Sequence, residues 1–451
     1  MRKLFGTDGV RGIANQELTS DLAFKLGQAA AYVLAGELSH KPNIMVGTDT
    51  RISCDMLECA LNAGLCSVGA DVMSLGVIPT PGVAYLISHH KADAGVVISA
   101  SHNSYEFNGI KFFDANGYKL PDDMEKKIED FVFADTKLPH KTGARIGRIH
   151  DVRELSTKYA EFLESQADRD LSGMNILLDC ANGAAYEIAP KVFGMLGAEI
   201  NVINNEPDGL NINRECGSTH MEGICSLMKS GGYDLGFAYD GDADRVLAVS
   251  ENGDLIDGDR MLGALAVNMK KKGTLAADTL VVTVMSNMGL DALARKHSIR
   301  VIKTAVGDRY VVEEMRKGGY SLGGEQSGHV ILRQCNTTGD GILTSVKIAG
   351  IIKEEKTAAS AIHSIMEEYP QVMVNVKIPN DRKKTVMADE DITRRVREIE
   401  DELGDEGRMI LRPSGTEPLI RVMMEGRDRE LIDMKTREMA ELIAVRFGEE
   451  A

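Results

Sequence analysis

Three times along the chain, short apolar strands separated by helical stretches end in a polar loop. This repetition constrains the fold more than any other feature. The first copy has apolar runs at 43–46 and 69–72, then Val96-Val97-Ile98 running into Ser99-Ala100-Ser101-His102-Asn103. The second has runs at 174–179, 197–200 and 235–239, ending in Asp240-Gly241-Asp242-Ala243-Asp244-Arg245. The third has runs at 279–284, 298–302 and 320–324, ending in Glu325-Gln326-Ser327-Gly328-His329. Strand–helix alternation predicts parallel pairing through right-handed crossovers. After each loop a hairpin is expected, which makes each sheet mixed: 109–113 with 118–120 about Asn116-Gly117, 246–249 with 255–256 about Asn252-Gly253, and 330–332 with a turn near Thr338-Gly339.

The remainder departs from the pattern. Alternating or apolar runs at 372–378, 409–411 and 419–423 read as strands, and amphipathic runs at 392–403 and 430–447 as helices. The expected class is therefore α/β, with three similar mixed-sheet domains (1–150, 151–256, 257–369) and a smaller C-terminal α+β domain (370–451). A length of 451 residues suits several cores better than one. An N-terminal helix is expected from a Thr19 or Ser20 cap, with Leu22, Leu26, Ala29, Ala30 and Val33 on one face.

Apolar runs such as 262–267 are too short to span a bilayer, and the N-terminus enters a glycine-rich motif at once, without a signal-peptide apolar region. The seven cysteines are scattered and odd in number, with Cys54, Cys59 and Cys66 on one expected helix. These features predict a reduced, cytoplasmic protein without structural disulfides. A formal charge of −16 argues against a nucleic-acid or anionic-membrane surface. It leaves room for an anionic small molecule in a local basic pocket.

Each loop carries its own chemistry. Ser101, beyond the carboxyl end of a strand, is placed as a nucleophile that carries a phosphate. Asp240, Asp242 and Asp244 are alternate carboxylates that repel unless a cation lies among them, and hard oxygen donors suit Mg²⁺ or Ca²⁺. An EF-hand is disfavoured, because Arg245 stands where its loop needs glycine and a strand precedes the loop. A rival reading makes Asp240 the phosphoryl acceptor, which leaves Ser101 without a role. Glu325, Ser327 and His329 suit sugar hydroxyls. Arg412, Ser414, Gly415, Thr416 and Arg421 form the best phosphate cradle in the chain. Thr7 and Arg11, in Phe5-Gly6-Thr7-Asp8-Gly9-Val10-Arg11-Gly12, offer a hydroxyl and a guanidinium to an oxyanion. Lys111 is expected to stabilise developing charge or, with a lowered pKa, to move a proton. Arg245 is close enough in sequence to pair with a carboxylate or phosphate.

With these loops in one order, from Phe5 into the Arg412-Pro413-Ser414-Gly415-Thr416-Glu417-Pro418 stretch, the chain resembles the α-D-phosphohexomutase superfamily. The resemblance implies four domains around a central cleft, a phosphorylated Ser101 beside His102, and Mg²⁺ held by Asp240, Asp242, Asp244 and the Ser101 phosphate. It implies interconversion of a hexose 6-phosphate and 1-phosphate through a 1,6-bisphosphate, with Lys111, Arg11 and Arg245 serving proton transfer and charge. Gln326 resembles the branch acting on glucosamine 6-phosphate, whose intermediate and activator is glucosamine 1,6-bisphosphate and whose product feeds UDP-N-acetylglucosamine synthesis. Whether Gln326 contacts the 2-substituent or shapes its loop stays open. Enzymes of the phosphomannomutase/phosphoglucomutase type, or a non-catalytic sugar-phosphate-binding homologue, are the alternatives. A homodimer and an activating kinase are compatible with the resemblance. Family members often carry proline after His-Asn; Ser104 stands there in this chain.

Overall fold

The computed structural model describes residues 4–6, 8–36, 38–134, 138–414 and 418–448. The chain forms two compact units, one of residues 1–286 with 296–365 and one of residues 287–295 with 366–451. The first unit holds three sheets built on one plan. In each, the unit's first strand lies between two parallel partners, and the third strand is followed by an antiparallel return.

In the first sheet Asn43–Thr48 lies between Asp71–Val77 and Ala94–Ile98, and Phe107–Asp114 returns against Ala94–Ile98. In the second, Asn175–Asp179 lies between Glu199–Ile203 and Leu235–Tyr239, with Val246–Ser250 returning. In the third, Thr279–Thr283 lies between Arg300–Thr304 and Leu322–Gly324, with Val330–Leu332 returning. The strands that lead into the loops are Val-, Ile- and Leu-rich or glycine-containing and buried along their whole length. That is the composition of a strand covered on both faces.

The pairing corrects the expected hairpins. The polar loops 99–106, 240–245 and 325–329 are themselves the connections between antiparallel strands. In the first domain residues 118–120 form only an isolated bridge, Phe113 to Lys119, because the free edge of Phe107–Asp114 is taken by Gly9–Ile13. The glycine-rich N-terminal stretch is thus mostly strand, Phe5–Gly6 pairing with Gly9–Ile13, and not a plain loop. The second hairpin, Val246–Ser250 with Leu255–Ile256, forms as expected. In the third domain no strand follows Val330–Leu332; the chain instead enters the helix Gly341–Glu355, where the Asp340 side chain accepts a hydrogen bond from Leu343 N at 2.9 Å. The N-terminal helix Ser20–Ala35 is capped by Thr19, which accepts from Leu22 N.

The second unit is an antiparallel sheet ordered Gln371–Lys377, Leu419–Gly426, Gly407–Pro413. The helices Glu390–Leu403 and Arg429–Phe447 accompany it, and Val376, Ile399, Val422, Met424, Ile432 and Ile443 form its core.

Candidate functional site

Ser101 lies three residues past the end of Ala94–Ile98. Its φ is +53°, left-handed backbone that a residue with a Cβ adopts at a cost. Its Oγ donates to Asp240 Oδ2 at 2.7 Å, joining the first sheet's loop to the second's. His102 Nδ1 is 3.3 Å from Ser101 Oγ and 3.4 Å from Arg245 Nη1. A guanidinium only donates, so Nδ1 accepts and the tautomeric proton belongs on Nε2. Burial, then the Arg245 and Arg11 charges, push His102 down to about 4. Its ring is neutral at neutral pH.

Asp240, Asp242 and Asp244 are all buried, and one carboxylate oxygen from each lies within 4.8 Å of the others. Asp242 Oδ1 and Asp244 Oδ1 have no hydrogen-bond partner among the described residues. Burial, with Asp244 and Asp242 beside it, raises Asp240 well above the ordinary carboxylate range. Orphaned buried oxygens and mutual repulsion are what a hard divalent cation relieves, so the residues fit one.

Lys111 is 1% exposed, and its Nζ lies 2.7 Å from Asp242 Oδ2, 3.1 Å from Asp8 Oδ2 and 3.7 Å from Asp244 Oδ2. Burial works against its charge, but Asp242, Asp8 and Asp244 together outweigh it and raise its pKa. The lowered pKa entertained from the sequence is therefore not what this site produces.

Several residues here escaped the sequence reading. Thr80 Oγ1 donates to Asp242 Oδ2 at 2.6 Å, and Thr80 N to Asp242 O at 3.0 Å. Asp8 forms ion pairs with Lys119 and Arg11 as well as Lys111. Asp308 pairs with Lys119 at 2.6 Å. Asp8 was visible inside the N-terminal motif; Thr80, at the start of a helix in another part of the first domain, carried no signal.

The third loop reaches the same cluster. Val246 N donates to Gly328 O at 3.2 Å. Gly328 has φ +92°, and a Cβ there would lie 2.1 Å from Val246 O, so only glycine fits. His329 is buried, with neither ring nitrogen hydrogen-bonded among the described residues; Nε2 is 3.6 Å from Asp308 Oδ2 and 3.9 Å from Asp244 Oδ2. Ser327 is exposed, and Glu325 Oε1 accepts from Gly307 N at 3.1 Å. Gln326 Nε2 points to Asp257 Oδ2 at 3.3 Å, where Asp257 caps the helix Gly258–Lys271. Gln326 thus ties its loop to the start of that helix.

In the second unit Arg412 and Arg421 are direct cross-strand partners. Two guanidinium side chains on facing positions disfavour each other unless an anion lies near. Lys383 Nζ donates to Ser414 O at 2.6 Å, which adds a third cation to that end of the sheet. Thr7, Gly415 and Thr416 lie outside the described residues.

Comparison with known proteins matches four successive segments to the family described as phosphoglucomutase/phosphomannomutase. Its alpha/beta/alpha domains I, II and III match residues 2–139, 157–253 and 257–369, and its C-terminal domain matches residues 373–442. A phosphoglucosamine mutase of Acetivibrio thermocellus is 53% identical over 449 residues, covering 99% of this chain and 100% of the relative. A phosphoglucomutase/phosphomannomutase family protein of Burkholderia thailandensis superposes with a TM-score of 0.83 at 21% identity, covering 99% of this chain and 98% of that one. An Aspergillus fumigatus N-acetylphosphoglucosamine mutase, solved with GlcNAc-6P and magnesium, superposes with a TM-score of 0.70 at 16% identity over 98% of this chain and 95% of its own. No helix among the described residues is long and apolar enough to cross a membrane.

Proposed function

Since the chain belongs to the phosphoglucomutase/phosphomannomutase family, we propose that it interconverts glucosamine 6-phosphate and glucosamine 1-phosphate, with Ser101 as phosphoryl carrier and glucosamine 1,6-bisphosphate as the enzyme-held intermediate. The observation that carries this reading is the 2.7 Å contact between Ser101 Oγ and Asp240 of the buried triad. A nucleophilic hydroxyl and a cation site from two different sheets meet there. Full-length identity to a phosphoglucosamine mutase supports the substrate.

In the first half-reaction the C1 hydroxyl oxygen attacks the phosphorus on Ser101 and the P–Oγ bond breaks. The proton lost from the C1 hydroxyl ends on Oγ, and neutral His102, 3.3 Å from Oγ, is placed to relay it. After the bisphosphate turns, Ser101 Oγ attacks the phosphorus on O6, the P–O6 bond breaks, and the proton passes from Oγ to O6. Lys111 and Arg245 are fixed cations for charge on the transferring oxygens, with Arg11 beside them. Asp240, Asp242 and Asp244, with the Ser101 phosphate, would hold Mg²⁺, which neutralises and orients the phosphoryl group when bound. Glu325, Ser327 and His329 meet sugar hydroxyls, with Thr7 as a further contact. Arg412, Ser414, Gly415, Thr416 and Arg421 suit the phosphate that is not being transferred. The first phosphoryl group on Ser101 comes from the bisphosphate or from a kinase.

The test is turnover of glucosamine, glucose and mannose 6-phosphates side by side, with Mg²⁺ and a trace of hexose 1,6-bisphosphate. A large preference for glucosamine 6-phosphate is expected. Preference for glucose or mannose overturns the substrate; binding without isomerisation overturns catalysis.

A further inference from the structure

Ser101 sits in left-handed backbone at φ +53°, and something must hold it there. Both poles of its backbone lead to one buried ion pair. Ser101 N donates to Ser99 Oγ at 2.9 Å, and Ser99 Oγ donates to Asp49 Oδ2 at 2.6 Å. Arg51 Nε donates to the same Asp49 oxygen at 2.8 Å, and Arg51 Nη2 donates to Ser101 O at 2.9 Å.

Arg51 is 2% exposed. Its remaining donors go to carbonyls of the serine loop and of the first residue after it: Nη2 also to Asn103 O at 2.8 Å, and Nη1 to Ser104 O and to Phe107 O at 3.1 Å. A guanidinium has five N–H groups, so one goes to Asp49, three hold the loop and one holds the start of the strand that follows it. A second clamp comes from the neighbouring domain. Asn213 Nδ2 donates to Ser101 O at 2.9 Å and to Asn103 O at 3.0 Å. Both amide hydrogens are thereby used, while Asn213 Oδ1 has no partner among the described residues. Among the described residues, the side chain's hydrogen bonds all go to this loop.

We propose that Asn213 and the Asp49–Arg51 pair, Asp49 through Ser99 and Arg51 directly, are positioning residues that lock Ser101 where its Oγ meets the Asp240–Asp242–Asp244 triad. This rests on the reading of Ser101 as phosphoryl carrier. The same Oγ must leave phosphorus in one half-reaction and attack it in the other, so its place must be identical in both. None of these residues touches the reacting atoms. They act through the Ser101 backbone.

The experiment compares wild type with Asn213→Gly and Asn213→Asp, full chain with Mg²⁺. Glycine tolerates the φ of +57° at this position and removes both donors. Aspartate keeps the shape and sets a carboxylate against two carbonyl oxygens. Melting temperature, kcat, KM for glucosamine 6-phosphate and the rate of Ser101 phosphorylation by glucose 1,6-bisphosphate, read by intact mass, are measured for each. Both variants are expected to melt cooperatively and keep KM within about twofold, while kcat and phosphorylation rate fall together by about ten- to a hundredfold. Arg51→Lys, which keeps the charge on Asp49 but not the fork, is expected to show the same split. Wild-type kcat and phosphorylation rate in both Asn213 variants overturn the proposal, as does a loss of activity that merely follows the loss of folded protein. A wild type that turns over none of the hexose phosphates defeats the parent reading instead. The two failures are therefore separable.

Discussion

Gly241→Ala tests the register of the serine and metal loops directly. A Cβ at Gly241 would lie 2.5 Å from Ser101 O and 2.8 Å from both Asn213 Nδ2 and Ile212 Cδ1. The Ile212 tip can yield. Ser101 O cannot yield cheaply, because Arg51 Nη2 and Asn213 Nδ2 already hold it. Ordinary contact begins near 3.4 Å, so the two loops must part by about 0.9 Å. Whichever loop moves, the 2.7 Å contact between Ser101 Oγ and Asp240 opens. A misplacement near 1 Å is worth about a hundredfold in rate, which is about 2.7 kcal/mol of barrier. The overpacking itself costs about 1–3 kcal/mol of stability. The assay is phosphorus NMR of the 6-phosphate to 1-phosphate conversion, with thermal melting in parallel. Gly194→Ala is the control: it lies in the helix Ala185–Met195 of the same domain, a Cβ there meets nothing within 4 Å, and it should keep full activity. A Gly241→Ala enzyme with kcat within about twofold of wild type and unchanged melting refutes the argument that these loops are held in tight register.

Ser101→Ala should lose nearly all turnover and accept no phosphate from a hexose 1,6-bisphosphate; wild-type turnover would sink the carrier assignment, and a hydroxylamine-labile phosphoenzyme would move it to Asp240. Asp240→Asn should raise the melting temperature in EDTA, because burial and two neighbouring carboxylates already disfavour its charge, and should lower activity in Mg²⁺ by more than about a hundredfold. A wild type that Mg²⁺ does not stabilise, by melting with and without EDTA, speaks against the cation site. Asp340 is pushed up to about 6 by burial, against hydrogen bonds from Leu343 N, Asn336 and Tyr159. Its folded pKa lies above its unfolded value, so the folded state holds the proton more tightly. Stability from this group is therefore full below about pH 4 and declines as pH rises to about 6, by at most about 3 kcal/mol. Melting scans of wild type and Asp340→Asn across that window should differ in slope; parallel curves would contradict the assignment.

The sequence revealed what side-chain type and alternation encode. Thr19 announced a helix start, and the carboxylates at 240, 242 and 244 announced a buried acidic cluster that fits a cation, because in each case the chemistry is local. Partners distant in the chain were not legible. Gly9–Ile13 became a strand because the edge of Phe107–Asp114 was open, and nothing within residues 9–13 states that. Thr80 meets Asp242 across 162 positions. Arg51 and Asn213 were likewise silent: an arginine after Gly-Thr-Asp-Thr reads as a phosphate ligand or a surface charge as readily as a loop clamp. Lys111 was expected either to stabilise developing charge or, with a lowered pKa, to move a proton, and only the carboxylates gathered around it show that its pKa is raised instead.

The corrected hairpins explain why the serine loop is the one whose backbone is clamped by side chains. Each polar loop joins a parallel-paired strand to an antiparallel return, so both of its ends are pinned by backbone ladders. The shorter loops then close on themselves. In 325–329, Glu325 N donates to His329 O and Gly328 N to Glu325 O. In 240–245, Ala243 N donates to Asp240 O and Arg245 N to Asp240 Oδ1. The serine loop, 99–106, is the longest of the three. Its backbone closes only from Asn103 N to Ala100 O and from Phe107 N to Ser104 O, and the carbonyls of Ser101 and Asn103 turn to Arg51 and Asn213. Longer connections carry more conformational freedom to be removed. The loop that bears the proposed carrier is therefore the one whose backbone carbonyls are held by side chains outside it, and loosening those side chains should disturb Ser101 while leaving 240–245 and 325–329 in place.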